Sequence, residues 1–339
     1  MNKKRGPAGG RRSVIEHGDM VREGGDVLRI GISACLLGER VRYDGGHKRG
    51  RFLTDTLGKF VEWVPVCPEV ECGLPTPREA MHLEGDPDSP RLVTVRTRMD
   101  HTERMVRWVK KRLDGLATEE LCGFIFKTKS PSSGMRAVKV YGKDNIPRKV
   151  GVGIFARAFM ERFPLLPAED EGRLHDAGIR ENFIERIFAL RRYRRFRDSD
   201  GGIGGLVDFH SRHKMQLMAH SQKILSEMGK LVAHAKGRSR DEVLGEYEKL
   251  LVGALALKAT ERKNENVLLH MLGYFKKRLS GDEKQEMLDV IGEYKRGLVP
   301  LIVPVTLMKH HVRKYGEAYL GVQTYLNPHP TELKLRNHA

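Results

Sequence analysis

The hydrophobic period of this chain changes once, and that change sets what it can fold into. Between residues 28 and 150, short β-rich runs alternate with a helical stripe. LRIGIS (28–33), VEWVPV (61–66), LVTVRT (92–97), GFIFK (123–127) and AVKVY (137–141) are strand-like. DHTERMVRWVKKRL (100–113) sets Met105, Val106, Val109 and Leu113 on one helical face. Such alternation predicts an α/β N-terminal domain with a mostly parallel sheet, closed by helices over 151–163 and 177–196. DSDGGIGG (198–205) is polar, rich in glycine and aperiodic, and predicts a linker. Beyond it the pattern is helical throughout, with stripes over 217–232 (Leu217 to Val232), 243–254 (Val243 to Ala254) and 267–275 (Val267 to Phe275). Ser280 and Glu283 predict a capping box for a helix that stops at Gly297. The expected organisation is a disordered basic tail (1–27), an α/β domain (28–197), a linker (198–205) and an all-α domain (206–339).

At 339 residues the chain is long enough for two separate cores. It contains no apolar run of about eighteen residues, so a membrane-spanning helix is not expected. The opening MNKKRGPAGGRRS is basic, but no apolar stretch follows it as a signal peptide would require. Four cysteines do not make a secreted disulfide framework, and a reducing cytoplasm is the expected compartment. The formal charge of +17 suits a nucleic acid, a nucleotide or another anion as partner. RRYRRFR (191–197) is its densest cluster, readable as a phosphate-contacting patch or as the solvated C-terminal end of a helix.

Half of the cysteines fall in VPVCPEVECGLPTPRE (64–79). Ligands of open α/β sheets gather beyond the carboxyl ends of the strands. Cys35 follows the first strand, Cys67 follows the second, and Cys72 lies in the next loop, so these three are expected on one crest. Cys122 opens its strand instead, about 16 Å from that crest if the strand is parallel, and suits a small buried hydrophobe. The third crest position is taken by KTKSPSSGM (127–135), where Ser130, Ser132 and Ser133 offer hydroxyls and free backbone N–H groups. Zinc normally takes four protein ligands, to which His47 could contribute. Three thiolates on an iron–sulfur cluster would leave one iron open to a ligand. A cysteine nucleophile activated by His47 is the third reading.

GISACLLGERVRYDGGHKR, VPVCPEVECGLPTPREAM and GFIFKTKSPSSGM together resemble the TudS-like family of thiouracil desulfidases, over roughly residues 28–160. The resemblance implies a 4Fe–4S cluster held by three cysteines and a hydrolytic, non-redox removal of sulfur from a thiolated nucleobase. Short members of that family carry a cysteine where this chain has Ser133. The ligand set implied here is therefore Cys35, Cys67 and Cys72, with Cys122 as the competing third ligand. Glu69 is the candidate base for the attacking water, with Ser130 beside it as a second catalytic candidate. Asp44, His47, Lys48, Arg78, Ser132 and Ser133 are candidate substrate contacts. The rival reading is a nucleic-acid-associated binding protein with a structural metal or cluster.

In the second half, FHSRHKMQLMAHSQ, ERKNENVLLHMLGYFKKRLS, VPLIVPVTLMKHH and YLNPHPTELKLRN resemble the YbgA-like domain, over about residues 206–337. The resemblance implies no activity. His210, His213 and His220 lie within about 80° of one another on one predicted helix, and His270, His310 and His311 could join them. They predict either a metal or proton-relay site or a set of imidazoles satisfying polar groups between packed helices. Lys214, Lys263, Asn264, Asn266 and Lys276 would suit an anion-binding face.

Overall fold

The computed structural model describes residues 28–338; the basic tail expected over 1–27 lies outside them. The strands are β1 (Arg29–Ser33), β2 (Glu62–Val66), β3 (Met81–Glu84), β4 (Arg91–Thr94), β5 (Gly123–Phe126), β6 (Val138–Tyr141), β7 (Pro147–Gly151) and β8 (Ala168–Asp170). They form two sheets, where one was expected. The first is parallel throughout, in the order β2-β1-β5-β8. Its two central strands, β1 and β5, read as near-continuous apolar runs because both faces are covered. Leu28, Ile30 and Ile32 are fully buried on one side, and Phe124 and Phe126 on the other. At Gly31 an added Cβ would come within 2.2 Å of the Phe124 ring, so only glycine lets that ring lie flat on β1.

The second sheet, β4-β3-β6-β7, is mixed and is contributed by insertions before and after β5. It holds the LVTVRT and AVKVY runs, which therefore do not extend the parallel sheet. Between the sheets lie two helices, α2 (Thr102–Ala117) and α3 (Ile154–Arg162), which follow the short α1 (Pro68–Glu71). Met105, Val109, Leu113 and Leu116 form the buried stripe of α2, while Val106, expected on that stripe, is exposed. Phe124, Phe126, Phe155 and Phe159 interlock in this core, with ring centroids 4.3 to 6.1 Å apart. Truncating any of them to alanine would cost about 3–5 kcal/mol.

The next helix, α4 (Ala177–Arg197), starts at an N-cap in which Asp176 Oδ1 accepts from Ile179 N. Phe183, Ile184, Ile187 and Phe188 pack it under the parallel sheet, while Ala189 and Tyr193 belong to the core of the helical half. Half of the expected linker is helix, since α5 (Gly202–His220) begins within it. At Gly205 an added Cβ would stand 2.9 Å from the Phe196 ring, so this glycine allows α4 and α5 to approach closely. The helical half continues through α6 (Gln222–Ala233), α7 (Arg240–Ala256), α8 (Glu261–Leu272), α9 (Gly281–Lys295), α10 (Ile302–Lys314) and α11 (Ala318–Gly321). Ser221 splits the expected 217–232 stripe between two helices, its side chain capping α6 through Ile224 N. The Ser280–Glu283 capping box is present at α9. The chain end returns to the first half, where Leu333 and Leu335 pack under the parallel sheet. Among the described residues no helix is long and apolar enough to cross a membrane.

The RRYRRFR cluster lies on the last two turns of α4, and much of it is engaged internally. Arg192 is half-buried and donates to His213 Nε2 (3.2 Å) and Pro328 O (2.8 Å). Arg194 donates to Leu121 O (2.6 Å), and Arg197 pairs with Asp198 (2.9 Å).

Candidate active site at the sheet crest

The order β2-β1-β5 makes the carboxyl end of β1 a topological switch point, and a cavity of about 390 Å³ opens there. Three segments line it. After β1 the chain enters a tight turn, Ala34–Leu37, closed by Gly38 at φ +101°, which puts Cys35 at the rim. After β2, Pro68 starts α1, with Cys67 at its N-cap and Cys72 at its C-cap. After β5, the serine-rich loop caps α3. Ser132 O accepts from Phe155 N (2.9 Å) and Ala156 N (3.2 Å). That approach requires Gly153, where an added Cβ would lie 2.5 Å from the carbonyl of Ser132.

Cys35, Cys67 and Ser133 line the cavity together. Cys72 does not. Five residue steps around a helical turn rotate a side chain by about 140°, so thiols at the two caps of α1 diverge. The Cys72 thiol donates to Glu69 O (3.2 Å) and packs against the core between the sheets. This corrects the placement of Cys72 on the shared crest. Cys122 is buried just before β5, beneath the opposite end of the sheet, as expected. Burial pushes the Cys35 thiol up to about 11, partly opposed by Lys127, and the Cys67 thiol up to about 12, with Glu69 adding to the effect. Both are protonated at neutral pH until something replaces the proton, which weighs against a ready cysteine nucleophile.

Glu69 is the centre of the polar wiring. Its Oε1 accepts from Ser132 Oγ (2.6 Å), its Oε2 accepts from the Cys67 thiol (3.6 Å), and Arg78 Nη2 stands 3.8 Å away. Ser130 Oγ lies 3.0 Å from Ser132 Oγ and accepts from Ser133 N (3.1 Å), so the three serines form one network. Ser130 faces the cavity, whereas Ser132 is fully buried behind Glu69. Arg78 lines the cavity, but its guanidinium is tied to Val41 O (3.1 Å) and bridges the two loops.

Of RYDGGHKR, Lys48 reaches the cavity. Asp44 and His47 do not line it. Asp44 is exposed and paired with Arg42, and His47 Nδ1 accepts from Arg49 N (3.3 Å). Arg42, Tyr43, Lys127 and Lys129 line the site although sequence reading did not single them out. Lys127 and Lys129 precede the serines in KTKSPSSGM, and their lysine spacing was the available signal. Lys48 and Lys129 add positive charge to the mouth, whereas Arg42 is paired with Asp44 and Lys127 with Glu171. The donor set suits a sulfur-seeking metal group at Cys35 and Cys67, with a hydroxyl rather than a thiol at the third corner.

The histidines of α5 do not converge. His210 meets Tyr247 Oη (3.2 Å); His213 Nδ1 donates to Phe209 O (2.8 Å); His220 bridges Leu257 O (2.6 Å) and Glu185 (3.0 Å). They satisfy polar groups between packed helices.

Residues 30–171 match the family model described as 2-thiouracil desulfurase, and residues 214–330 match one described as a protein of unknown function, DUF1722. The uncharacterized protein YbgA of Escherichia coli (strain K12) is 34% identical over 158 residues, spanning 46% of this chain and 94% of that protein. The solved structure of the [4Fe-4S]-dependent thiouracil desulfidase TudS is 30% identical, spanning 44% of this chain and 94% of that one, with a TM-score of 0.37. The chain thus joins an N-terminal domain of the 2-thiouracil desulfurase family to a C-terminal domain of the YbgA family.

Proposed function

We propose that the N-terminal domain is an iron–sulfur-dependent desulfidase that hydrolyses a thiocarbonyl in a nucleobase-like ring, replacing C=S with C=O and releasing hydrogen sulfide. The observation that carries this reading is the grouping of Cys35, Cys67 and the Glu69–Ser132–Ser130 network around one cavity at the switch point. Cys35 and Cys67 would hold the cluster, with Ser133 at the third position. When bound, the cluster would supply an open, Lewis-acidic iron for the thiocarbonyl sulfur. Glu69 takes the proton of the attacking water, its carboxylate fixed by Ser132. Ser130, facing the cavity, donates to the ring edge of the substrate. Lys48 and Lys129 at the mouth favour an anionic cluster and draw in electron-rich heterocycles.

Protein purified without air should contain iron and acid-labile sulfide in equal amounts and release sulfide from 2-thiouracil. Glu69→Gln should keep the iron and lose the sulfide release. A colourless, zinc-bearing protein would overturn the proposal.

A further inference from the structure

The helical half contributes to two cavities that the desulfidase chemistry does not use. The second cavity of the molecule, about 320 Å³ between α4, α5, α8 and the chain end, has its buried carboxylates already engaged. Arg336 and His338 hold Glu181, and Arg336 and His220 hold Glu185. The third, about 410 Å³ between α10 and residues 326–337, is lined by a side chain with no such partner, Lys309.

Helical periodicity puts Lys309 there. Val305, Met308 and Val312 bury one face of α10 in the core. Ile302, Lys309 and Arg313, at spacings of seven and four, share the neighbouring stripe. Leu326, Pro328 and Leu335 are buried and supply apolar lining to the same cavity. Lys309 is half-buried, and among the described residues none forms a hydrogen bond or an ion pair with it. The charges that act on it are the guanidiniums of Arg336 and Arg313. Lys263, half-buried as well, instead donates to His220 O (2.7 Å) and Lys258 O (3.0 Å).

Such a place disfavours an ammonium. Burial strips its hydration and two neighbouring cations repel it, so the group is held below its ordinary value. Deprotonation relieves both costs and leaves a lone pair on Nζ. An apolar pocket and a nearby cation are the two means by which proteins turn a lysine into a nucleophile, and this cavity has both. An anion is a poorer fit. Arg336 is bound by two carboxylates, and Lys334 is offset by Glu332, the one acidic residue of the lining.

We propose that Lys309 is the reactive amine of a carbonyl-binding site in the C-terminal domain, where it condenses reversibly with a small, largely apolar aldehyde or ketone to form an imine. The amine lone pair makes the new C–N bond, the carbonyl C–O bond breaks, and the oxygen leaves as water with the two amine protons. No oxidant or reductant is consumed, and the site is independent of the desulfidase reading. The full chain, treated at pH 7 with benzaldehyde and sodium cyanoborohydride to trap the imine, should be benzylated at Lys309 several-fold faster than at any exposed lysine, as read by peptide mass mapping. Lys309→Arg keeps the charge and should abolish this fast phase, with an unchanged circular dichroism melt as the folding control. Labelling of Lys309 no faster than of exposed lysines, a fast phase that maps to another lysine, or a fast phase that survives in folded Lys309→Arg would each overturn the proposal.

Discussion

Replacing Arg336 by methionine tests whether the chain end is held by charge or by shape. The guanidinium makes three hydrogen bonds, two to carboxylates of α4, across 151 and 155 residues of sequence. Methionine fills most of the volume but leaves Glu181 and Glu185 buried without their cation. Breaking one side of such a buried ion set costs about 3–5 kcal/mol. At about 2–4 °C per kcal/mol for a unit of 150–250 residues, the melting temperature should fall by roughly 6–20 °C in a circular dichroism melt. Burial and the neighbouring Glu185 already hold the Glu181 carboxyl up to about 7. A carboxyl whose folded value is raised is destabilising above its unfolded value and harmless below it. Without Arg336 that penalty grows at pH 8, so the deficit should narrow on acidification toward pH 5 as Glu181 takes up its proton. Combining Arg336→Met with Glu185→Met should cost less than the sum of the single changes. A fall below about 2 °C, or a deficit independent of pH, would refute a charge-based clasp.

Three further outcomes follow from particular contacts. Ser133→Cys places a third thiol in the Cys35–Cys67 cavity and should raise iron retention in air, measured by iron and sulfide analysis, whereas Cys72→Ser should leave retention unchanged. Gly153→Ala drives a Cβ to 2.5 Å from the Ser132 carbonyl, where no flexible side chain can yield; it should cost about 1–3 kcal/mol in denaturant melts and loosen bound iron. His213 is buried and neutral, with burial and Arg192 depressing it to about 3 against an ordinary 6.5. The folded state thus binds fewer protons than the unfolded state between those values. Stability from this group is full above pH 6.5 and is lost as pH falls toward 3, at up to about 1.4 kcal/mol per unit. His213→Gln should flatten that slope in melts between pH 7 and 5.

The parallel sheet and the helical half were legible because their apolar runs and stripes are set by burial, which leaves a periodic mark. The second sheet was not, since β7 is largely exposed and leaves no apolar mark. Cys35, Cys67 and the serine loop could be placed by the rule that ligands gather at strand ends. Cys72 could not, because its direction depends on Pro68 starting a helix after Cys67, a local turn that counting positions does not reveal. The glycine run misled for a related reason. Glycine marks flexibility and close approach alike, and only the Phe196 ring against Gly205 distinguishes them.

Helix α4 belongs to neither half alone. It spans 21 residues, about 31 Å at helical rise. Its first half supports the strands that end at the crest, and its inner face carries Glu181 and Glu185 into the second cavity. Its last turns anchor the helical core, where Tyr193 Oη donates to Leu244 O. Severing the chain at 198–201 would leave the helical piece with a trough where Ala189 and Tyr193 had been. The nominal joint is therefore the wrong place to divide the molecule. Heating should melt the two halves in a single transition, and a ligand that stiffens one cavity should raise the melting point of both.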